Sequence, residues 1–326
     1  MSAPRLDGVL ASFERRLLER TEEHRSGDLL REAIAYHFGF GEFGPTRVGK
    51  RLRPQLLFRT AFHLGAPVEA ALDAAVAVEI LHNYSLVHDD IEDRDELRHG
   101  RPTLWARYGI AQAINAGDAM CAISFLALTQ SGAHLGAQGA LSAVRRLHEA
   151  HRAMCDGQAR DIAFESRDTV AFEEYLEMIA GKTAALFGAA CELGAICAAA
   201  DASMAKRARD FGREYGMAFQ IRDDMLGVWG DEVDTGKRVA GDLARRKWSF
   251  PIVWALAQPD SAARRTVAST YASGRSLDPR EVEAVRRALD ELAARSACER
   301  AIAQRLDSLQ RFGDGDLYRF AADSLR

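Results

Sequence analysis

Long stretches of this chain repeat apolar residues every three or four positions, which is the period of an α-helix. Alanine is abundant, only 8 of the 326 residues are proline, and runs of β-branched residues are few. The pattern predicts an all-α protein with little or no sheet. We expect helices at about 5–24, 27–38, 50–65, 68–92, 104–108, 111–130, 136–164, 171–198, 202–229, 247–258, 261–272, 279–295 and 297–310.

The chain shows no feature that would divide it. No internal repeat, low-complexity tract or linker rich in proline, glycine or serine is present, so we expect a single domain over residues 1–326. Residues 230–246 contain three glycines and no apolar periodicity, which predicts a mobile lid. Asp278 followed by Pro279 is a typical helix start, a capping side chain before a proline in the first turn.

Charge and cysteine content restrict the function. Lys and Arg number 43 against 47 Asp and Glu, for a net charge of −4, so no general basic surface for nucleic acid is expected and any anion site must be local. The five cysteines form no CxxC pair, which favours small free thiols in a reducing cytoplasm.

The N-terminus is charged where a signal peptide is apolar. The longest apolar stretch, 186–200, is interrupted by Glu192, so we expect no transmembrane segment and a soluble, cytoplasmic protein.

An acidic cluster, Asp89 to Asp93, ends a long apolar approach at 74–87. If this segment is helical, the four-residue step from Asp89 to Asp93 places two carboxylates on one face, which is half of a magnesium site. Arg98 and Arg101 follow and suit a phosphate group. A solvated acidic face is the alternative, but a helix buried on most sides would not carry such repulsion without a cation or a basic partner.

Two further clusters match this chemistry. Gln220, Asp223, Asp224 and Gly227 lie along one side of a predicted helix, 134 positions (223 − 89) after the first acids. Lysines follow these acids as well. Near the N-terminus, GKRLRP places Lys50 and Arg53 three positions apart, so on a helix they would share a face toward one anion. A solvated basic turn is the alternative for this last stretch.

Taken together and in order, these motifs resemble the trans-isoprenyl diphosphate synthases, or polyprenyl synthetases. The resemblance covers nearly the whole chain through GKRLRP, NYSLVHDDIED, LRHGRPT, GKTAALF, FQIRDDMLG and TGKRVAGDLARRK. It implies an all-α bundle around a deep cavity with the two aspartate motifs facing each other across its mouth. It also implies a homodimer that joins isopentenyl diphosphate to an allylic diphosphate.

The resemblance implies a role for each matching position. Asp89 and Asp93, with Asp90 beside them, match the ligands of two Mg²⁺ ions, and Asp223, supported by Asp224, matches the ligand of a third. The positions that hold the allylic diphosphate are Arg98, Lys182, Lys237 and Lys247. Those that hold isopentenyl diphosphate are Lys50, Arg53 and His82, and His99 stands at a fourth. Thr183 and Gln220, beside Lys182, match groups that line the reacting centre, and Gln158 with Asp161 matches a motif near the allylic chain.

Two positions depart from the family pattern. Gly227 stands where the second motif usually ends in an acid, which predicts weaker support for the third metal. His99 stands where an arginine commonly contacts isopentenyl diphosphate, and a histidine is only partly protonated near pH 7.

Product length is predicted from the helix that precedes Asp89. Ser85 lies one turn and Leu81 two turns below the acids, about 6 and 12 Å along the axis. Tyr84 is the first bulky side chain that could form a floor, although an ordinary core aromatic would look the same. In the family an aromatic here with a small neighbour resembles the type that makes geranylgeranyl diphosphate.

Two other functions fit parts of the sequence. A class I terpene cyclase also ionises diphosphates with an aspartate motif, but it has no use for the Lys50 and Arg53 cluster, and the second motif lacks the Asn/Ser/Glu triad typical of cyclases. A non-catalytic subunit of a heteromeric synthase could tolerate the altered second motif. The intact first motif and the retained Asp223 and Asp224 favour the elongating synthase.

Overall fold

The computed structural model describes residues 6–23, 28–44, 49–230, 241–312 and 315–326. Over these residues the protein is almost entirely helical. The helices are α1 Leu6–Glu23, α2 Asp28–Phe38, α3 Leu52–His63, α4 Val68–Glu92, α5 Leu104–Tyr108, α6 Ile110–Gln130, α7 Gly132–Glu165, α8 Phe172–Ile179, α9 Ala185–Cys197, α10 Ala202–Trp229, α11 Gly241–Ala244, α12 Phe250–Leu256, α13 Ala262–Tyr271, α14 Pro279–Glu291, α15 Ala294–Gln310 and α16 Asp316–Ser324. A 3₁₀ turn at Gly41–Phe43, a π-helical turn at Ala180–Ala184 and a hairpin of β1 Leu97–Arg98 and β2 Arg101–Pro102 complete the described secondary structure.

The all-α prediction is confirmed. The bounds of α4, α5 and α10 are as predicted, and the capping box at Asp278 before Pro279 is present. The sequence did not predict α16, the hairpin or the π-helical turn, and α7 breaks at Gly136, where φ is 67°. The predicted lid lies outside the described residues at 231–240. Its described end is packed rather than loose, since α11 buries Leu243 completely and Arg246 is also buried.

Close contacts divide the chain into two compact units. The first unit comprises Met1–Glu149 and Ala189–Asp210, and the second comprises Ala150–Gly188 and Phe211–Arg326. This division does not test the expectation of a single domain over residues 1–326, which stays a prediction.

Helix α4 is the core of the first unit. It packs most extensively against α6 and also against α3 and α1. From Ala70 to Leu81 every one of its residues is buried, so the helix has no solvent face along that stretch. Small side chains allow close packing on several sides, and Ser124 of α6 donates a hydrogen bond of 2.9 Å to the Ala77 carbonyl. Burial on all sides explains why the sequence here, apart from two acids, is apolar rather than amphipathic.

Arginines neutralise the acids that α4 buries. Arg16 and Arg20 of α1 both bind Asp73 at 3.0 Å. Arg51, just before α3, reaches Glu79 at 2.7 Å and also binds Glu14. A buried carboxylate without such a partner would cost several kcal/mol. These ion pairs therefore fix the positions of α1 and of the chain before α3 against the central helix.

The core of the second unit forms around α12, the end of α10 and the C-terminal helices. Ile221, Ile252 and Val285 are fully buried within it. Trp248 donates through its indole N–H to the Phe164 carbonyl at 2.8 Å, and its ring contacts Tyr271. The indole hydrogen bond anchors the segment before α12 to the end of α7.

Three helical segments are long and apolar enough to cross a membrane by length and composition alone: Val68–Glu92, Ile110–Gln130 and Phe172–Cys197. The absence of a transmembrane segment stays a prediction. In the first and third, 72% and 78% of the apolar window is buried inside the protein, against 39% in the second. Burial in the core accounts for the apolar character of α4 and of α8 with α9. The second, α6, keeps an exposed apolar face that includes Ile114 and Leu126.

All five cysteines are free thiols, as expected. Cys191, Cys197 and Cys298 are buried as predicted, whereas Cys155 is exposed and Cys121 is half-buried.

A buried histidine makes the stability of the first unit depend on pH. His37 lies 3.0 Å from the Asn83 side chain, and burial lowers the pKa of His37 to about 4. In the unfolded chain His37 binds a proton near pH 6.5, whereas in the folded chain it stays neutral until the pH nears about 4. The contribution of His37 to stability is therefore fully present above pH 6.5. This contribution is lost as the pH falls toward about 4, at about 1.4 kcal/mol per pH unit.

We expect His37→Gln to reduce by one the number of protons that the chain takes up on unfolding, and so to weaken the dependence of stability on pH. Urea unfolding at pH 7 and pH 5 would show the wild-type protein losing more stability between the two values than the variant does. His134, on the exposed surface, provides the matched control as His134→Gln. Equal losses in the wild-type protein and in His37→Gln would contradict the assignment.

Candidate active site

The first acidic cluster forms the last turn of α4, and its three aspartates do not share one environment. Asp89 and Asp93 are half-buried and lie one turn apart, with the Asp93 N–H bonded to the Asp89 carbonyl at 2.8 Å. Asp90 is buried, and Arg98 holds it with its Nε at 2.9 Å and an Nη at 2.8 Å. Burial raises the pKa of Asp90, and Arg98 opposes that rise. The accessible pair therefore suits a cation, while Asp90 anchors Arg98.

A tight hairpin presents the arginines that follow. Arg98 pairs with Arg101 across the two strands, so both side chains leave the same face. His99 and Gly100 form the turn with φ of 51° and 78°. Two consecutive positive φ values are what a two-residue hairpin turn requires, and histidine tolerates this conformation better than most residues. The turn leaves His99 exposed.

A cavity of about 170 Å³ opens beside this hairpin in the first unit. The basic side chains around it are His37, Arg51, His82, Arg98, His99 and Arg101. Burial lowers the pKa of His82 well below its usual value, and the positive charges of Arg53 and Arg98 lower it further. Because His37 behaves likewise, both histidines are neutral at pH 7 and offer hydrogen bonds rather than charge.

The GKRLRP segment begins α3 later than predicted. The helix starts at Leu52, so Lys50 precedes it and the predicted shared helical face with Arg53 is wrong. Arg51 adopts a left-handed conformation, φ 49°, because its side chain turns inward to Glu14 and Glu79. Lys50 is exposed and Arg53 is half-buried.

The second motif repeats the division seen in the first. On α10 Asp223 is exposed, whereas the neighbouring Asp224 is buried. Asp224 accepts hydrogen bonds from the Tyr175 hydroxyl, from the Phe250 N–H at 2.7 Å and from Gln220 Nε2 at 2.8 Å. Burial raises the pKa of Asp224 to about 7, against the effect of these donors. With both oxygens engaged, Asp224 suits a positioning role better than metal binding.

The π-helical turn between α8 and α9 carries Lys182 and Thr183. Thr183 donates to Gln220 Oε1 at 2.6 Å, which extends the hydrogen-bonded chain to Asp224. Lys182 donates to Asp161 at 2.5 Å. A Cβ at Gly157 would lie 2.1 Å from the backbone nitrogen of Lys182, so glycine lets α7 approach this turn closely. Single π-helical turns are rare and occur often at functional sites.

Gly227 is explained by a residue that sequence reasoning did not identify. A Cβ at Gly227 would lie 2.2 Å from an Asp242 carboxylate oxygen. Asp242, on α11, therefore occupies the space that an acidic side chain at 227 would need. Asp242 also accepts from Arg245 at 3.3 Å. The only signal in the sequence was an acid after the glycine-containing loop, and its distance from Gly227 could not be read from the chain.

The remaining predicted residues are placed as follows. Lys247 is half-buried and follows α11, while Lys237 lies outside the described residues. Among the proposed chain-length residues, Leu81 is fully buried, and Tyr84 and Ser85 are half-buried. The Tyr84 ring packs on His88 with centroids 4.7 Å apart.

The donor atoms fit a hard divalent cation. Each motif presents accessible carboxylate oxygens, from Asp89 and Asp93 in the first unit and from Asp223 in the second, which are the ligands that Mg²⁺ prefers. Over the described residues no three His, Cys, Asp or Glu side chains cluster as a metal site. Mg²⁺ usually binds one or two carboxylates and takes its other ligands from water and substrate phosphates, so sparse protein ligation suits it.

Comparison with known proteins agrees with these motifs. Residues 42–291 match the polyprenyl synthetase family. A (2E,6E)-farnesyl diphosphate synthase of Mycobacterium tuberculosis is 43% identical over 259 residues, covering 78% of this chain and 69% of that relative. A geranylgeranyl diphosphate synthase of the same species is 38% identical over 297 residues, covering 87% of this chain and 84% of the relative.

Solved structures lead to the same family. A polyprenyl synthetase from Streptomyces coelicolor A3(2) matches with a TM-score of 0.87 and 33% identity, over 98% of this chain and 99% of that one. The chain therefore belongs to the polyprenyl synthetase family, the trans-prenyl diphosphate synthases of the all-α isoprenoid synthase type I fold.

Proposed function

We propose that this enzyme joins isopentenyl diphosphate head to tail to an allylic diphosphate and ends at geranylgeranyl diphosphate. One observation carries the reaction class: an accessible aspartate stands next to a buried one on each of two helices. The pairs are Asp89 with Asp90 on α4 and Asp223 with Asp224 on α10. The relatives named for farnesyl and geranylgeranyl products support prenyl elongation but differ in chain length. The longer product is supported by Tyr84 beside the small Ser85.

The residues divide into two diphosphate sites and three metal positions. Asp89 and Asp93 would hold two Mg²⁺ ions and Asp223 a third. When bound, these ions stabilise the negative charge that develops on the leaving diphosphate. Arg98, Lys182 and Lys247, with Lys237 from outside the described residues, would bind the allylic diphosphate. Lys50, Arg53, His82 and His99 would bind isopentenyl diphosphate.

The rest of the chemistry is positioning. Thr183 and Gln220, fixed by their mutual hydrogen bond, would present oxygen atoms toward the allylic cation as it forms. The double bond of isopentenyl diphosphate, held by its own cationic residues, then attacks that cation. The proton lost from the new chain would pass to the released diphosphate. Apolar walls would keep water from the cation.

The purified protein should be incubated with magnesium, isopentenyl diphosphate and, separately, dimethylallyl, geranyl or farnesyl diphosphate, and the products analysed by mass spectrometry. We expect a ladder of products that ends at twenty carbons. Cyclic hydrocarbon formed without isopentenyl diphosphate would indicate a terpene cyclase instead. No turnover with any primer would indicate a non-catalytic subunit.

Tyr84 tests the chain-length proposal. Replacing its ring with a methyl group should open the path along α4, so Tyr84→Ala should shift the main product beyond twenty carbons in the same assay. Tyr84→Phe keeps the ring and should keep the product. An unchanged product distribution in Tyr84→Ala would remove Tyr84 as the floor.

We infer that Asp242 replaces the acid missing at Gly227 in supporting the third metal. Asp242→Asn keeps the volume and removes the charge, so the magnesium concentration for half-maximal activity should rise by roughly tenfold. Asp260→Asn, at an exposed carboxylate, is the control. A magnesium dependence unchanged from that of wild type would show that Asp242 only fills the space beside Gly227.

Arg101 is the cation best able to compensate for His99. Around the cavity of the first unit, Arg51 is bound to two glutamates and Arg98 to Asp90. Arg101 instead lies over the Tyr36 ring, 4.2 Å from its centroid, and has no carboxylate partner among the described residues. Its charge is therefore available to a diphosphate, and Tyr36 restricts its orientation. We propose that Arg101 binds isopentenyl diphosphate in place of an arginine at 99.

Arg101→Gln should raise the KM for isopentenyl diphosphate by roughly tenfold, the size of one charge-assisted contact. The KM for the allylic diphosphate should stay unchanged, and His99→Gln should have the smaller effect. A larger effect of His99→Gln than of Arg101→Gln on that KM would contradict the role of Arg101.

We also propose a homodimer in the cytoplasm. The exposed face of α6, with Ile114 and Leu126, is the apolar surface that a second copy would cover. Light scattering of the purified protein would measure the mass of the particle, and a monomer would contradict the proposal.

A further inference from the structure

A second cavity, which we call the α15 groove, lies in the second unit. It runs between α8, α10, α12 and α15, and its volume is about 700 Å³. Pockets for small ligands range from about 300 to 1,000 Å³. None of the described residues assigned above to magnesium or to a diphosphate lines it. The large apolar side chains along it are Phe172, Leu176, Ile221, Phe250, Trp254 and Phe312.

Cationic side chains stand along the same groove. Arg305 is paired with Glu214 at 2.6 Å, so its charge is neutralised. Arg300 and Arg311 also line the groove and are exposed, and their guanidinium groups have no hydrogen bond or ion pair with any described residue. The groove thus combines an apolar lining with two uncompensated positive charges, which suits an amphipathic anion with a long apolar chain.

The groove connects directly to the second aspartate motif. Phe250 contributes its ring to the lining and its backbone N–H to Asp224, at 2.7 Å. The Phe172 ring, also in the lining, packs edge-on against Phe250 with centroids 5.4 Å apart. A ligand that packs on Phe250 therefore touches a residue that positions Asp224, next to the accessible Asp223.

We propose that the α15 groove binds a polyprenyl diphosphate, with the chain on the apolar lining and the anionic head on Arg300 and Arg311. The identity of this ligand rests on the proposed function, because such a chain is the amphipathic anion that the reaction itself supplies. A product chain bound in the groove would contact Phe250, which holds Asp224. Occupancy of the groove would therefore couple the second aspartate motif to the concentration of product.

Binding can be measured without turnover. The full chain is titrated with geranylgeranyl diphosphate in EDTA, so that no divalent cation assists the catalytic site, and tryptophan fluorescence is followed. We expect a saturable change that depends on Trp254, one of the 4 tryptophans, and that is largely lost in Trp254→Phe. Arg300→Glu should weaken the affinity by roughly tenfold or more. Arg280→Glu makes the same charge change on the exposed surface of α14 and should bind as wild type does.

Several results would overturn the proposal. Equal affinity of wild type and Arg300→Glu would exclude the arginine contact, and a signal unchanged in Trp254→Phe would place binding elsewhere. Oleate, which has a similar chain but a carboxylate head, should bind more weakly; equal affinity would make the groove a general fatty-anion site. Arg300→Glu should keep the basal elongation rate, which shows that it folds. If wild type does not elongate any primer, the proposed function fails, while the titration still reports on the groove.

Discussion

Each aspartate pair of this protein places one carboxylate in an accessible position and buries its neighbour. The buried member cannot remain uncompensated, because an ionised carboxylate loses its hydration inside the protein. On α4 the compensation comes from Arg98, and on α10 it comes from Tyr175, Gln220 and the Phe250 N–H. These contacts fix the helix rotation and so determine where Asp89 and Asp223 stand. The buried aspartates therefore act as anchors for the accessible ones.

The same requirement organises the surroundings of α4. Asp73, Glu79 and Asp90 lie along one buried helix, and each is held by arginine from a different segment of the chain. Arginine suits this purpose because its planar fork can bind a carboxylate through two hydrogen bonds. Arg51, Arg98 and Arg101 all line the cavity of the first unit. Carboxylates neutralise the charges of Arg51 and Arg98, but no described carboxylate neutralises that of Arg101. A substrate anion can bind Arg101 without competing with a protein carboxylate, whereas it would share Arg98 with Asp90.

The sequence was sufficient for most of the helices. Apolar periodicity placed α4 and α10 correctly because both are long and their burial dominates their composition. The division within each aspartate pair was also accessible in principle, since neighbouring helical residues point about 100° apart. The resemblance set Asp89, Asp93 and Asp223 apart as the metal ligands, but the sequence did not predict that Asp90 and Asp224 are buried beside them.

Other features could not be read from the chain because they depend on contacts between distant residues. Asp242 lies against Gly227, and Gly157 lies against the π-helical turn at Lys182, but neither sequence position marks its partner. The late start of α3 has a similar origin. Its propensity allows a helix from Lys50, but the buried ion pairs of Arg51 with Glu14 and Glu79 draw that residue into a left-handed conformation, so the helix begins at Leu52. Tertiary electrostatics overrides local preference here, and it does so in the basic segment proposed to bind isopentenyl diphosphate.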